Sequence, residues 1–436
     1  MSVLAVFGAI AFFVGILASV ALHEIGHLVP AKLFGVKVTQ YFVGFGRTLW
    51  STRRGETEYG LKLIPAGGFV RLIGMMPPSA DGKTRRWSTG AFQSLVDDAR
   101  TQASEELLPG EEDRAFYSKK WWQKVVVMLG GPMVNLILAV LLVGVAMIGI
   151  GVYNTTTTVA AVSDCVIAAD PAVTTARTCT DADPIAPAKA GGVQAGDRIV
   201  SVAGTPIATW LDAQHAIRAA AGKTVPVVVE RAGADKTLQV SVISTTSTDL
   251  NDPNKTVQAG FIGVTPTQIR AHATVGDTFS TLGSMVESTG SALVHLPQRM
   301  VGVAKAAFGG TRAQDSPMSV IGASRIAGEV ATGDIGGSTK LIVSDRVQVL
   351  LQLLGGVNLF VGILNLVPLL PLDGGHIAGA LWEAVKRGVA RFRGRPDPGH
   401  VDVARALPLT YAVASVLVVM GALLMVADIV NPIRLS

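Results

Sequence analysis

Residues 3–31 read VLAVFGAIAFFVGILASVALHEIGHLVPA, an apolar stretch that is interrupted by titratable groups only at Glu24 and at two histidines. A helix needs about 20 mostly apolar residues to cross a bilayer, so this stretch is long enough to span one. It lacks the basic start of a signal peptide, and its apolar run is longer than the core of such a peptide. We therefore predict a retained transmembrane helix within segment 1–33.

The composition of the whole chain is also typical of a membrane protein. Of its 436 residues, 49% are apolar and 16% are charged, and the mean hydropathy is +0.44. Soluble domains carry about 25% charged residues, so a cytosolic enzyme, a nucleic-acid binder and a disordered adaptor are excluded. Two cysteines are too few for a disulfide scaffold or for a cysteine-based zinc module.

Three further apolar stretches are long enough to cross a bilayer. They lie in segments 123–151, 347–375 and 408–430, and the second of these contains Pro368 and Pro371 near its end. The sequence therefore predicts a polytopic α-helical membrane protein with four transmembrane helices.

Lysine and arginine are concentrated in two of the intervening segments, 34–122 and 376–407, whereas acidic residues balance them in 152–345. Cytoplasmic loops of membrane proteins are enriched in Lys and Arg. We therefore expect the two basic segments to be cytoplasmic, and both termini and 152–345 to lie outside.

The two long loops are predicted to contain β structure. Residues 36–73 alternate like strands around RRGETE and indicate a membrane-associated β-hairpin region. Within 157–248, AGGVQAGDRI and the following WLDAQHAIRAA resemble the turn, strand and helix of a bacterial-type PDZ domain, an α+β fold. Such a domain binds an extended segment at its sheet edge, and the alternative is that it acts only as a spacer. The remaining outside segment, 249–345, is expected to contain a helical run around 277–308.

Cys165 and Cys179 lie close together in the predicted outside segment. An oxidising compartment and a short separation favour a disulfide that closes one surface loop.

The string HEIGH at 23–27 carries the chemistry. On a helix, His23 and His27 lie one turn apart on the same face and can bind one zinc ion, with Glu24 beside them as the general base. Ionisable groups on an apolar helix are costly unless they have partners, so a functional site is the favoured interpretation. Two histidines leave this site incomplete, because catalytic zinc normally has three protein ligands.

Asp373, in NLVPLLPLDGGH, is the favoured third ligand, since it lies at the same predicted depth as HEIGH. His376 is ranked second because it opens an apparent cytosolic helix. Asp428 is placed near the outside end of the last helix, too far from the site.

These motifs together resemble the site-2 protease family of intramembrane zinc metalloproteases, and in particular its bacterial RseP-type branch with an inserted PDZ domain. The resemblance rests on HEIGH, TEYGLKLIPAGGFVRL, KKWWQKVVVMLGGPMVNLILA, SPMSVIG and NLVPLLPLDGGH, in this order. One departure is that a single PDZ signature is found, where the branch is often drawn with two.

The resemblance implies one zinc ion per chain, held by His23, His27 and Asp373, with Glu24 as the catalytic base. Asn365, and less directly Asn135, would contact the substrate backbone. The hairpin around Gly67 and Gly68 would hold an extended substrate by strand addition.

The resemblance further implies regulated intramembrane proteolysis in a bacterial inner membrane, of the kind used in stress responses. An upstream site-1-type protease trims a single-pass protein, such as an anti-sigma factor, and this enzyme then cuts the remaining transmembrane segment. Remnant signal peptides are another substrate class. Two alternative functions belong to other classes. A zinc transporter or channel would require polar residues along a path through the helix bundle. An inactive scaffold that presents its PDZ domain would require the loss of a motif residue.

Overall fold

The computed structural model describes residues 2–75, 110–167, 178–180, 183–250, 256–313, 316–333, 341–401 and 406–433. The basic stretch between 76 and 109 and the residue Arg405, both used in the orientation argument, lie outside these residues. The chain forms two compact units, Met1–Ile150 with Ala273–Ser436, and Gly151–His272.

The elements follow one another along the chain in this order: α1 (Val3–Leu33), β1 (Val38–Arg54), β2 (Thr57–Leu72), α2 (Trp121–Gly144, extended by a π-helical segment Val145–Ile150), β3 (Val152–Val162), α3 (Pro187–Ala190), β4 (Arg198–Val202), β5 (Thr205–Pro206), α4 (Trp210–Ala219), β6 (Thr224–Arg231), β7 (Ala234–Ser241), β8 (Ile243–Thr248), β9 (Thr256–Phe261), β10 (Val264–Ala271), α5 (Val275–Val294), α6 (Leu296–Ala307), α7 (Val320–Thr332), α8 (Val343–Asn365), α9 (Asp373–Phe392) and α10 (Leu407–Val430).

Four helices among the described residues are long and apolar enough to cross a membrane. They are α1, α2 with its π-helical extension, α8 and α10, and they coincide with the four predicted stretches. Many of their large apolar side chains are exposed on the protein surface, as expected for helices that face lipid.

The third predicted span differs from the structure at its end. Helix α8 stops at Asn365, and Asp373 is the first residue of a separate helix, α9, whereas the sequence analysis placed both in one segment, 347–375. Pro368 and Pro371 explain the break, since proline has no N–H to donate and disfavours helical geometry in the residue before it.

The predicted hairpin region contains two long antiparallel strands, β1 and β2, which pair from Val38 with Leu72 to Arg54 with Thr57. The base of this hairpin packs on α1 and α2 through a core of Leu28, Val36, Val38, Leu72, Phe116, Val127 and Met128. The hydroxyl of Tyr41 also donates a hydrogen bond of 2.9 Å to the Ala21 carbonyl of α1. The hairpin is therefore fixed against the helix that carries HEIGH.

The unit Gly151–His272 contains a sheet in the order β10-β3-β4-β6-β7, with β5 beside β4 and a separate β8–β9 hairpin. Its core is aliphatic and includes Val159, Ile199, Val202, Ile217, Val227, Val229 and Val240. This unit extends beyond the predicted domain, 157–248, on both sides. Strand β10 pairs with β3 along its length, from Val264 with Val162 to Ala271 with Val152, so 249–272 belongs to this unit.

The remainder of 249–345 is part of the unit that contains the long helices. Helix α7 packs closely on α1, because a Cβ atom on Gly328 would lie 2.5 Å from the Ala5 carbonyl oxygen. Asp428 of α10 lies in a buried ion pair, 2.7 Å from Arg312, and accepts a hydrogen bond from the Ser319 amide. This acid therefore anchors α10 to the chain before α7.

A disulfide joins Cys165 and Cys179, whose Cα atoms are 5.9 Å apart. The two cysteines belong to the unit Gly151–His272.

Asp197, a buried residue in the turn before β4, connects this turn to Arg231 at the end of β6. Its carboxylate receives two 2.7 Å hydrogen bonds from Arg231 and one of 2.8 Å from the Gln194 amide. The hydrogen bonds from Arg231 lower the pKa of Asp197, although burial opposes them. The stability that this pair contributes is therefore complete above about pH 4, the ordinary pKa of aspartate, and is lost as the pH falls through the lowered value.

Asp197→Asn should destabilise this unit, because the amide carries no charge for the two hydrogen bonds that Arg231 donates to the carboxylate. Hydrogen exchange of residues 151–272 in the full-length protein at neutral pH measures this effect. Asp235→Asn, at an exposed position in β7, is the control and should leave exchange unchanged. Equal protection in both variants would contradict the role of Asp197.

Candidate active site

Helix α1 places His23 and His27 one turn apart on its buried face, where each side chain faces the interior of the helix bundle. Their Nε2 atoms are 3.2 Å apart. Asp373, at the start of α9, completes the group, because its Oδ2 lies 3.4 Å from the Nε2 of each histidine. Two helices that are far apart in sequence, α1 and α9, therefore supply all three side chains of this group.

The spacing of these three atoms fits one zinc ion. Ligand atoms about 2.0–2.1 Å from a tetrahedral zinc are about 3.3 Å apart, and the three observed separations lie close to this value. In the part of the chain that the structure describes, this is the one group of three histidine, cysteine or carboxylate side chains with ligand atoms close enough to hold a metal ion. His23, His27 and Asp373 therefore form a candidate zinc site with one position open for water or substrate.

A hydrogen bond orients one of the imidazoles. The Nδ1 of His27 lies 2.8 Å from the Val127 carbonyl of α2 and donates its proton to it. This contact fixes the proton on Nδ1, so the lone pair on Nε2 is available for a metal ion.

Glycines of α2 allow this close approach, and the sequence analysis did not assign them a role. A Cβ atom on Gly131 would lie 2.3 Å from His27 Nε2 and 2.7 Å from His23 Nε2. One residue earlier, a Cβ atom on Gly130 would overlap the carbonyl oxygen of Gly26 in α1. Small residues let helices pack backbone to backbone in membranes, so the signal was the Gly-Gly pair within the apolar stretch of α2.

A cavity of about 470 Å³ adjoins the three ligands. It is lined by Ile16, Ser19, Val20, His23, Glu24, His27, Gly67, Gly68, Phe69, Val70, Leu72, Met75, Met128, Asn135, Val357, Asn358, Val361, Asn365, Pro371, Asp373 and His376. Strand β2 borders the cavity beside Glu24, since a Cβ atom on Gly68 would lie 2.8 Å from Glu24 Cγ. The structure thus brings Glu24, the three ligands and the two hairpin glycines together.

Three asparagines border the same cavity. Asn365 and Asn135 were predicted from the sequence, whereas Asn358 was not. The Nδ2 of Asn358 donates hydrogen bonds to Ser19 Oγ at 3.0 Å and to the Leu354 carbonyl at 2.9 Å. The side-chain oxygens of Asn135 and Asn358 are buried and have no hydrogen-bond donor among the described residues. Each can accept a hydrogen bond from a bound backbone N–H.

His376 lies in the first turn of α9 and also borders the cavity. It does not belong to the group of ligand atoms formed by His23, His27 and Asp373. The geometry therefore favours Asp373 over His376 as the third ligand.

A buried ion pair fixes α9, the helix that begins at Asp373. Glu383 accepts a 2.8 Å hydrogen bond from Lys124 of α2, and both side chains are almost fully buried. Arg387 lies 3.2 Å from the same carboxylate. Burial by itself raises the pKa of Glu383, but the positive charges of Lys124 and Arg387 outweigh it and hold this pKa below its usual range. Helix α9 is therefore attached to α2, the helix that also positions His27.

The sequence matches peptidase family M50 over residues 11–395. It is 36% identical to the zinc metalloprotease Rip1 of Mycobacterium tuberculosis, with 98% of each chain covered. It is 34% identical to Rip1 of Mycolicibacterium smegmatis over 98% of each chain, and 25% identical to the metalloprotease MmpA of Caulobacter vibrioides over 84% of each chain.

Gly131→Ala should cost the protein most of its bound zinc, because the added methyl group would occupy space held by both imidazoles. Metal content of the purified protein, measured by atomic spectroscopy, checks this outcome. Gly144→Ala is the matched control, since this glycine lies on the same helix with open space around its Cα. A full zinc content in both variants would show that α2 does not approach the ligands as described.

Asp373→Asn should weaken zinc binding more than His376→Ala does. Two neutral imidazoles leave the full charge of Zn²⁺ uncompensated in a low-dielectric site, and the carboxylate offsets half of it. Competition with a chelator measures the zinc dissociation constants of both variants. Loss of metal from His376→Ala together with its retention in Asp373→Asn would reverse the assignment.

Proposed function

The chain belongs to peptidase family M50, the site-2 protease family of zinc metalloproteases, and we propose that it is an intramembrane endopeptidase that cuts transmembrane segments of single-pass proteins. The observation that carries this proposal is the position of the site. His23, Glu24 and His27 lie within a helix that is long and apolar enough to cross a membrane, and Asp373 reaches them there.

In the proposed reaction, His23, His27 and Asp373 hold the zinc ion and Glu24 acts as the general base. Bound zinc supplies Lewis-acid polarisation of the scissile carbonyl and of water. The Glu24 carboxylate removes a proton from the attacking water and returns it to the leaving amine. The His27 bond to the Val127 carbonyl keeps the imidazole in the orientation that metal binding requires.

A helical substrate must unwind before its backbone can reach these groups, and the released N–H and C=O groups then need new partners. The edge of β2 at Gly67 and Gly68 can pair with an extended segment by strand addition. The acceptor oxygens of Asn135 and Asn358, together with Asn365, border the same cavity. We assign these groups to binding of the substrate backbone, with Asn365 at the end of α8 the nearest of the three asparagines in sequence to Asp373.

We further propose that Gly151–His272 is a PDZ domain on the outer face of a bacterial inner membrane. Its turn before β4, the helix α4 and the β6–β7 hairpin follow the order expected of that fold. The Cys165–Cys179 disulfide is in keeping with an oxidising compartment. On this assignment both termini are outside, and the active site lies toward the cytoplasm.

The substrates in this proposal are anti-sigma factors or signal-peptide remnants that an upstream site-1-type protease has already trimmed. Cleavage then releases a cytoplasmic fragment, as in a stress response. The outer domain acts as a size filter in this proposal, because a folded domain joined directly to the end of α2 adds bulk that excludes proteins still carrying a large outer part.

Glu24→Gln should bind zinc normally but cleave at least about a hundredfold more slowly, because the amide cannot act as a general base. The membrane proteomes of cells with the parent enzyme and with this variant should differ in trimmed stubs that accumulate only in the variant. Those stubs identify the substrates. If zinc is lost together with activity, Glu24 is a ligand and the proposed mechanism is wrong.

Replacing 152–271 with a short flexible bridge should permit cleavage of an untrimmed substrate. Val152 and Ala271 are paired across the sheet, so their Cα atoms are about 5 Å apart and a short bridge can join them. Gly191→Ala, which disturbs only the turn against Val240, should have a smaller effect because it leaves the bulk in place. If the shortened protein binds zinc but still cuts only trimmed substrate, the domain is not a size filter.

A further inference from the structure

Helix α9 has an apolar face that the rest of the described protein does not cover. On its inner side, Glu383 and Ala390 are buried, and Glu383 is held by Lys124. The opposite side carries five large apolar residues at helical spacing, and they are exposed: Leu381 45%, Trp382 55%, Val385 52%, Val389 45% and Phe392 92%. Because a helix turns by about 100° per residue, these five side chains form one stripe directly opposite the buried face.

Positive charges border this stripe on both sides. Lys386 lies along one edge of the stripe and Arg391 along the other, Arg393 and Arg395 follow the last residue of the helix, and all four are exposed. Acidic groups on the same helix do not neutralise them, since Asp373 faces the histidines and Glu383 faces Lys124.

An aromatic and aliphatic stripe with cations beside it and at its end is typical of a helix that lies in the plane of a membrane surface. The order of the helices along the chain also favours a membrane surface as the partner of this stripe, because α9 lies between two helices that can span a bilayer, α8 and α10. Both of its ends are therefore tethered to segments that enter the membrane. The positive charges of these Lys and Arg side chains are opposite in sign to those of anionic phospholipid headgroups, and therefore attract them.

We propose that the outer face of α9 is a binding surface for an anionic bilayer, with its apolar stripe at the boundary of the acyl chains and its cations on the headgroups. Since α9 begins at Asp373, this surface also sets the depth at which that side chain is held. The functional importance of that depth rests on the proposed function at the zinc site. The position of α9 on the membrane surface does not depend on the proposed function.

Spin labels on single introduced cysteines measure this position in the full-length protein. Cys165 and Cys179 are joined in a disulfide, so an introduced cysteine is the reactive thiol. Val385→Cys and Phe392→Cys report on the stripe, and Arg395→Cys reports on the basic segment just beyond the end of α9. Each labelled protein is placed in lipid nanodiscs and exposed to oxygen, which concentrates in the bilayer, or to a neutral nickel chelate, which stays in water.

The labels at 385 and 392 should collide with oxygen severalfold more often than with the chelate, and the label at 395 should show the reverse. Replacing phosphatidylcholine with a mixture rich in phosphatidylglycerol should raise this oxygen preference at 385. The double variant Lys386→Gln and Arg393→Gln should lose that increase while keeping its zinc.

Three outcomes would overturn the proposal. Free access of the chelate to 385 and 392 would show that the stripe faces water. Shielding from both reagents would show that protein covers it, either another part of this chain or a partner. An oxygen preference that does not respond to phosphatidylglycerol would show that the cations do not bind anionic headgroups. None of these measurements requires proteolysis, so failure of the proposed function would be seen separately as inactive enzyme with correctly placed labels.

Discussion

Two imidazoles and two carboxylates must be kept together inside a helix bundle whose other side chains are largely apolar. Ionisable groups in such surroundings are costly unless they are paired or bound to a metal ion. Asp373 lies 3.4 Å from both His23 and His27, and zinc bound there would neutralise the arrangement further. The close packing of α1 on α2 at Gly26 and Gly130 follows from the same requirement, since a wider separation would remove the Val127 carbonyl from His27.

The interruption of the helix before Asp373 is a second consequence. A continuous helix through 347–375 would carry Asp373 along a straight axis, whereas the break after Asn365 allows α9 to begin beside the histidines. Non-helical backbone within a membrane is tolerated where it lines a cavity, and Pro371 borders the cavity here. The buried Lys124–Glu383 pair then holds the far part of α9 on α2. Both sides of the ligand group are thereby attached to the same helix.

Much of this architecture was predictable from local patterns. The four apolar stretches, the hairpin around RRGETE, and the HEIGH motif each depend on residues that are close in sequence. Features that depend on distant contacts were not predictable in this way. The pairing of β10 with β3 joins residues far apart in the chain, so local patterns did not indicate that the unit Gly151–His272 extends beyond residue 248. The role of Gly131 depends on which face of α2 meets α1. The side-chain oxygen of Asn358 is left without a donor because the Nδ2 of the same amide donates to Ser19 and Leu354, and neither contact can be read from local sequence.

The coordination of zinc in the wild-type protein tests the central claim most directly. X-ray absorption at the zinc edge, recorded on purified protein in a bilayer, reports the number and type of ligand atoms. We expect a four-coordinate ion with two imidazoles and only nitrogen or oxygen donors, at about 2.0–2.1 Å. A third imidazole in the spectrum would identify His376 as a ligand and contradict the assignment of Asp373.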